Sequence, residues 1–223
     1  MNESSKSTVL IAYSDNYGYI ADIADNMARQ LRSSGLIIDN LDLEHTKQKR
    51  WQDLKGYKGV ILISGKNKFW NFWNKKAKKF ASFYIGPHEK FLLTGFFRSD
   101  PWALDSLTDP VKNNEKFGNA IFKACSFIPN YYEDLGPVLD FSHHSKLKHD
   151  DKSTLKDSAK SIAKKTGLEF EYKGVNDFRN WYRIEEICNE YVKKLLQGNK
   201  CPTCGTIIPN GANFCVSCGE KMP

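Results

Sequence analysis

The sequence has no apolar run long enough for a membrane-spanning helix. Such a helix needs about 18 consecutive apolar residues, and no stretch of this chain approaches that length. The first residues, Met1 to Thr8, are polar and show no signal peptide. The sequence therefore predicts a cytoplasmic protein without a membrane span. Internal repeats and low-complexity stretches are also lacking.

Motifs of cofactor-independent catalysis are lacking as well. We find no Ser-His-Asp set, no pair of carboxylates in a catalytic arrangement and no Walker-type phosphate loop. If the protein is an enzyme, a bound cofactor has to carry the chemistry. His143, His144 and His149 lie among Ser, Lys and Asp residues without metal-ligand spacing, which favours a surface loop.

The composition is that of a soluble globular protein with a modest basic excess. The 223 residues are 40% hydrophobic and 26% charged, and 33 Lys and Arg outnumber 26 Asp and Glu. This length predicts one domain of roughly 150–200 residues with a small appendage. The formal charge of +7 permits an acidic partner or an anionic surface without specifying one.

Four of the six cysteines form two Cys-x-x-Cys pairs near the end of the chain. The pairs are separated by ten residues and consist of Cys201, Cys204, Cys215 and Cys218. Each pair can place two sulfurs on one tetrahedral metal, and the glycine after each pair relieves crowding of the backbone. The spacing predicts a structural Zn²⁺ with no open coordination position. The alternatives are disulfides, which need an oxidising compartment, or free thiols.

The segment from Lys200 to Met222 resembles the short zinc-ribbon family. The resemblance implies a small zinc-bound domain at 198–223, after a body at 1–197. Zinc ribbons of this kind serve as protein contacts, as nucleic-acid contacts or as stabilising modules, and the sequence leaves these roles open. Cys125 and Cys188 lie on apolar helix faces, which predicts unreactive core thiols.

Hydrophobic patterns in the body predict alternating strands and helices. Five apolar or alternating runs predict the strands, namely Thr8–Tyr13, Leu36–Leu43, Val60–Ser64, Phe91–Phe97 and Pro137–Phe141. Helical spacing of apolar residues predicts helices near 20–31, 69–84, 117–125, 155–163 and 181–195. Residues 168–172 alternate as a short extended piece. The predicted fold class is α/β, with a doubly wound, five-stranded parallel sheet.

A basic run on the predicted second helix has two interpretations. Lys75, Lys76, Lys78 and Lys79 are typical of a nucleic-acid patch, but they lie opposite Ala77 and Phe80 on a helical projection. A solvated polar face is therefore the preferred interpretation, with binding of nucleic acid disfavoured.

Three predicted loops lie at the carboxyl ends of the parallel strands, where such sheets bind ligands. A phosphate is favoured in the first loop, before the first helix, because free amides and the helix dipole attract anions. A flat ring system fits between aromatic residues of the other two loops. For Trp70 and Trp102, core packing is an equally good interpretation. The candidate cofactor-binding residues are Ser14, Asp15, Asn16, Tyr17, Gly18, Tyr19, Gly65, Lys66, Asn67, Phe69, Trp70, Phe97 and Trp102.

The body resembles the flavodoxin-like family, in particular the branch that includes menaquinone-dependent protoporphyrinogen oxidase. The resemblance runs from about Thr8 to Leu195. The residues that show this resemblance are Val9–Ser14, Gly18, Ile23-Ala24, Val60–Gly65, Gly136–Phe141 and Asp177–Trp181. It implies FMN binding and electron transfer, with a redox protein, a quinone or a porphyrinogen as partner.

The first loop departs from the family pattern in its hydroxyl residues. Asp15 and Ile20 stand where Ser or Thr is expected, and the carboxylate of Asp15 would repel a phosphate. The loss of two neutral hydrogen bonds costs about 1–3 kcal/mol of binding free energy. Two functions therefore stay open: an FMN protein, or a cofactor-free interaction module that binds protein or nucleic acid through the ribbon.

Overall fold

The body is built on a five-stranded parallel sheet. The computed structural model describes residues 8–51, 53–65, 74–197, 199–200, 203–204, 207–208, 214–215 and 217–221. The strands of the sheet are β1 (Thr8–Ser14), β2 (Ile37–Asp42), β3 (Gly59–Ser64), β4 (Leu93–Arg98) and β5 (Tyr131–Asp134). Their order is β2-β1-β3-β4-β5, and all four pairings are parallel. This is the flavodoxin-like doubly wound order, which confirms the predicted fold class.

The described part of the body contains five α-helices. They are α1 (Ile20–Ser33), α2 (Lys75–Phe80), α3 (Pro110–Cys125), α4 (His149–Thr166) and α5 (Trp181–Gln197). One hydrophobic core lies between the sheet and helices α1 and α5. A second core lies on the opposite face, beneath α2 and α3. Both faces of β1 and β3 are therefore buried, which explains their continuous apolar sequences.

The second helical region differs in form from the predicted helix. Helix α2 begins after Asn74, whose side-chain oxygen accepts the Lys76 N–H at 2.8 Å. It continues as a π-helical stretch over Ala81–Ile85 and a 3₁₀ helix over Gly86–Phe91. The beginning of the predicted helix, including residues 69–73, lies outside the described residues.

The prediction of the fifth strand was wrong. Residues Tyr131–Asp134 form the edge strand β5, although all four are only half-buried and carry no apolar run. The predicted strand at 137–141 contains β6 (Val138–Asp140), which pairs antiparallel with β7 (Val175–Asp177) outside the main sheet. Residues 168–172 form no strand. The apolar run at 137–141 is buried because it belongs to a separate small core.

That small core is formed by the segment 135–180, which we call the cover segment. Its buried residues come from β6, the following loop and α4, together with Leu104 from the loop region after β4. Two partly buried aromatic side chains pack against this core, namely Tyr17 and Trp102. They come from two loops at the carboxyl edge of the sheet. The cover segment therefore lies over the edge at which a parallel sheet binds ligands.

A buried ion pair joins β4, β5 and α3 near this edge. Arg98 is 1% exposed, and its Nε donates to Oδ2 of Asp134 at 2.6 Å. Asn113 donates to the same oxygen at 2.9 Å, and the Arg98 guanidinium lies 4.9 Å from the centre of the Phe117 ring. These contacts hold the carboxyl ends of β4 and β5 in fixed positions.

The described part of the tail contains one short antiparallel ladder. Strands β8 (Asn199–Lys200) and β9 (Ile207–Ile208) pair with each other, and Phe214 forms a bridge with Lys221. Across the described ranges, none of the helices is both long and apolar enough to cross a membrane.

Candidate functional site

The first candidate site is the loop that connects β1 to α1. It occupies residues 15–19 at the carboxyl end of β1, where the backbone N–H groups at the start of α1 have no partner within the helix. Gly18 has a φ of +95°, a conformation that side-chain-bearing residues rarely adopt. The loop thereby turns its amide groups toward one point, as an anion-binding loop does.

The carboxylate of Asp15 lies at that point. Its Oδ1 accepts the N–H groups of Tyr17 at 2.9 Å and Gly18 at 2.6 Å. Its Oδ2 accepts the N–H groups of Ile20 at 2.9 Å and Ala21 at 3.0 Å. Four backbone donors are therefore satisfied by one side chain, which also caps helix α1 and neutralises its positive dipole end.

This arrangement does not fit a phosphate group in the loop. The four amides that would bind the phosphate already hold a carboxylate, and a second anion there would meet its negative charge. The hydroxyl of Ser14 is not available either, because it donates to Oε1 of Glu44 at 2.5 Å. Asn16 is exposed, so its side-chain amide adds no buried donor for a phosphate.

The aromatic residues of the loop contact other parts of the edge. The indole Nε1 of Trp102 donates to the hydroxyl of Tyr17 at 3.1 Å, which joins the first loop directly to the loop after β4. The hydroxyl of Tyr19 donates to Oδ2 of Asp140 in the cover segment at 2.5 Å. The first contact therefore joins the first and third loops, and the second joins the first loop to the cover segment.

The loop is also reached by three residues of the cover segment. None of them was among the predicted cofactor-binding residues. Asp140 is 7% exposed. Burial favours its neutral form, but hydrogen bonds from Ser142 and Tyr19 outweigh burial and hold the pKa of Asp140 below its usual value. Arg179 donates to the Tyr19 carbonyl at 2.8 Å, and a Cβ built on Gly18 would lie 3.2 Å from Nζ of Lys146. Asp140 and Arg179 lie in segments that carry the family resemblance, but no local pattern of the sequence indicates that they reach the loop.

The remaining candidate residues are placed as follows. Gly65 is buried, and a Cβ built there would lie 3.1 Å from Cβ of Asp100, so the second and third loops approach each other closely. Phe97 is 1% exposed and belongs to the core beneath α1 and α5, because β4 extends through Arg98 and the loop begins only after it. Lys66, Asn67, Phe69 and Trp70 lie outside the described residues.

Replacing Tyr19 with phenylalanine tests the contact between loop and cover segment. The loss of the hydrogen bond to Asp140 should lower the free energy of unfolding by about 1–2 kcal/mol at pH 7. Burial, and then the Asp140 carboxylate, raise the pKa of Tyr19 above its ordinary value of 10. The contribution of this hydroxyl is therefore complete below pH 10 and is lost as the pH rises through the raised pKa.

Urea unfolding at pH 7 and at pH 11 measures this effect, with Tyr182→Phe as the control because Tyr182 is 71% exposed. The difference between natural protein and Tyr19→Phe should shrink at the higher pH. Equal stability of the two proteins at pH 7 would show that the contact does not hold the cover segment.

The second candidate site is a cysteine cluster in the tail. The sulfurs of Cys204, Cys215 and Cys218 all lie within 4.8 Å of one another. Cys204 and Cys215 are 3.5 Å apart, too far for a disulfide bond and near the ~3.8 Å that tetrahedral coordination with 2.3 Å zinc–sulfur bonds requires. The N–H of Ser217 donates to the Cys215 sulfur at 3.4 Å. The cluster therefore fits a metal ion, and Cys201 lies outside the described residues.

The body cysteines are structural. Burial raises the pKa of Cys125 to about 11 and that of Cys188 to about 12. Because only the thiolate reacts, alkylation by iodoacetamide at pH 8 should be about a hundredfold slower at Cys125, and about a thousandfold slower at Cys188, than in the guanidinium-unfolded chain. Peptide mass spectrometry reads out each cysteine separately. Labelling of Cys188 at the unfolded rate would contradict its burial.

Comparison with known proteins adds a likeness of fold. No family model matches the sequence, and neither does any curated protein. A flavodoxin of Streptococcus pneumoniae TIGR4 is 16% identical, with 72% of this chain and 100% of that chain covered and a TM-score of 0.41. Rubredoxin oxygen:oxidoreductase of Desulfovibrio gigas is 16% identical over 72% of this chain, with a TM-score of 0.40, but only 37% of that longer protein is covered. A flavodiiron core of Synechocystis is 17% identical over 73% of this chain, with a TM-score of 0.39, and is 36% covered. At these identities, the likeness concerns the course of the chain and does not extend to a bound cofactor.

Proposed function

We propose that this chain is a binding protein with a flavodoxin-like body that works without FMN, and with a zinc ribbon as its second contact module. The observation that carries the proposal is the position of the Asp15 carboxylate, which accepts four backbone N–H groups of the loop. A phosphate that entered the loop would have to displace this carboxylate. Any gain from binding would be reduced by the loss of the helix cap.

The proposed role of the tail follows from coordination chemistry. Cys204, Cys215 and Cys218, with Cys201 as the expected fourth ligand, would hold one Zn²⁺ with no coordination position open for a substrate. Zinc does not change its oxidation state, so the ribbon would stabilise its segment and present a surface. Chemistry at the metal is therefore no part of the proposal.

The test is the flavin content of the purified protein. Protein produced in flavin-sufficient cells should be colourless, without absorbance near 450 nm. Titration with FMN should leave flavin fluorescence unquenched at micromolar concentrations. Stoichiometric flavin in the natural protein, retained through gel filtration, would refute the cofactor-free proposal.

FMN-dependent electron transfer is the second candidate function. It is favoured by the same four amides, because convergent N–H groups before a helix are what a flavin phosphate binds. FMN would supply one- or two-electron chemistry, and the loop amides and Gly18 would be the residues that hold its phosphate. The partner would then be a redox protein or a quinone. Asp15→Thr removes the competing charge, so this variant should bind FMN more tightly than the natural chain does.

We also propose that the body at 1–197 and the ribbon at 198–223 fold separately. Truncation after Gln197 should leave the thermal midpoint of the body within about 2 °C of the full-length value. Differential scanning calorimetry of the two proteins measures this midpoint, and metal analysis should find zinc only in the longer one. A truncated body that fails to fold would show that the ribbon is part of its core.

A further inference from the structure

A groove with an excess of positive charge lies beside the Asp15 loop, at the carboxyl end of β2. It has a volume of about 530 Å³, which is within the range of small-molecule sites. One wall is the segment that follows β2, with Glu44 and Lys47, and the other wall is helix α2. The groove is thus at the ligand-binding edge of the sheet but outside the loop that Asp15 fills.

Four lysine residues line this groove, which we call the lysine groove. Lys47, Lys75, Lys76 and Lys79 line it, and the only carboxylate among its lining residues is that of Glu44. The lining therefore has a formal charge of +3. Glu44 is already engaged, because it accepts from Ser14 at 2.5 Å and pairs with Lys76 at 3.1 Å.

Three lysines remain for a ligand. Within the described residues, no ion pair is found for Lys47, Lys75 or Lys79. Lys75 and Lys79 are four residues apart on α2, so their side chains lie next to each other on one face. Three ammonium groups on two walls of one groove repel each other, and a bound anion relieves that repulsion.

The floor of the groove is apolar and rigid. Trp51 lines it and is 8% exposed, with its indole N–H donating to the Thr46 carbonyl at 3.2 Å. Its rings pack edge-on against Phe80 at 5.5 Å and Tyr84 at 5.3 Å between centroids. The groove can therefore accept an apolar body next to a charged group.

We infer that the lysine groove binds a phosphate monoester of mononucleotide size. A phosphate monoester carries nearly two negative charges at pH 7 in one compact group. Lysine binds such a group as a compact point charge, and four lysines line this groove. This inference rests on the proposed binding function, because it names the class of ligand that the binding protein would hold. The ligand would lie beside the Asp15 loop and not inside it.

The test uses AMP as the probe, with a 5′-phosphorylated hexanucleotide as a second probe and hexaglutamate as the carboxylate control. Isothermal titration calorimetry with the full-length protein should show saturable binding of AMP. Replacing both Lys75 and Lys79 with glutamine should weaken it about a hundredfold, since each charged hydrogen bond accounts for roughly tenfold. Lys78→Gln removes the same charge from the same helix outside the groove and should leave AMP affinity unchanged.

The two probes separate the sources of the phosphate. Preference for AMP indicates a free nucleotide, whereas much tighter binding of the hexanucleotide indicates the end of a nucleic acid. Either result supports phosphate recognition. Equal binding of hexaglutamate, or an equal effect of Lys78→Gln, would reduce the groove to an unspecific cationic surface and overturn the inference. Absence of binding by both phosphorylated probes would overturn it as well.

FMN is itself a phosphate monoester, and this distinguishes the two proposals. FMN held only in the groove should bind as weakly as AMP and be lost with the double lysine substitution. Tight FMN binding that ignores the lysines but responds to Asp15→Thr would refute the cofactor-free function while leaving the AMP result intact.

Discussion

Replacing Asp15 with alanine should lower the free energy of unfolding by about 2–4 kcal/mol and create an anion site that inorganic phosphate fills. The carboxylate accepts four backbone N–H groups, whereas an ordinary helix cap satisfies one or two. Without it, these amides point into a cavity of the shape and polarity that an oxyanion requires. Phosphate should then stabilise the variant specifically.

The size of this rescue can be estimated by mass action. If phosphate binds the Asp15→Ala variant with a dissociation constant of ~1 mM, 100 mM phosphate adds about 2.7 kcal/mol. Thermal unfolding with phosphate and with chloride, at equal ionic strength, measures this difference. Phosphate bound in the lysine groove would stabilise the natural protein and the variant alike. The additional stabilisation of Asp15→Ala is therefore the quantity that reports on the loop, which the carboxylate fills in the natural protein.

Asp109→Ala is the matched control for this experiment. Asp109 caps α3, but its carboxylate accepts only the Lys112 N–H, at 3.0 Å. The loss of this cap should lower the free energy of unfolding by about 1 kcal/mol, and phosphate should stabilise Asp109→Ala no more than it stabilises the natural protein. If phosphate stabilises both variants equally, or stabilises the natural protein as much as Asp15→Ala, the carboxylate does not take the place of a phosphate.

Removal of the metal should unfold the tail and leave the body folded. Structural zinc contributes about 10–16 kcal/mol of apparent binding free energy to a small domain at pH 7, far more than the described two-residue strands of the tail can supply. Cys218→Ser should therefore lower the zinc content from one ion per chain to none. Hydrogen exchange of residues 199–221 should rise to the rate of an unfolded peptide.

Cys125→Ser is the control, because it makes the same substitution in the body without removing a metal ligand. Elemental analysis and amide exchange of the two variants, with and without a chelator, measure the effect. A metal-free natural protein, or a tail that stays protected after chelation, would remove the basis for a zinc ribbon. Loss of the body's cooperative unfolding in Cys218→Ser would instead show that the two parts fold together.

Local patterns of the sequence were enough for most of the architecture. The apolar runs of β1 and β3 and the helical stripes of α1, α4 and α5 depend on burial of residues close together in the chain, which periodicity records directly. The two Cys-x-x-Cys pairs are also local patterns, because a single turn of the backbone brings both sulfurs of a pair to one metal. Strands β1 and β3 and helices α1 and α5 were predicted within a few residues of their observed bounds, whereas α4 begins six residues before the predicted helix.

The fifth strand shows where local patterns fail. Strand β5 is a four-residue edge strand with every side chain half-buried, so it carries neither an apolar run nor a clean alternation. The better pattern at 137–141 reflects burial in the cover segment, and periodicity does not tell which core buries a residue. Strand membership in the sheet was therefore decided by long-range pairing.

By itself, the sequence determined the α/β class, the order of most elements, the cysteine spacing that predicts a metal site and the presence of a carboxylate in the first loop. The direction of that carboxylate was decided by the tertiary structure. Charge repulsion predicts only that Asp15 is unfavourable beside a phosphate, whereas the positive φ of Gly18 turns four amides toward the carboxylate itself. The lysine groove is likewise a product of folding, because Lys47 and Lys75 come from segments that only the sheet brings together. The interaction between two charges depends on their distance in space. Lys47 and Lys75 are 28 positions apart in the sequence, and this separation does not set their distance in the folded protein.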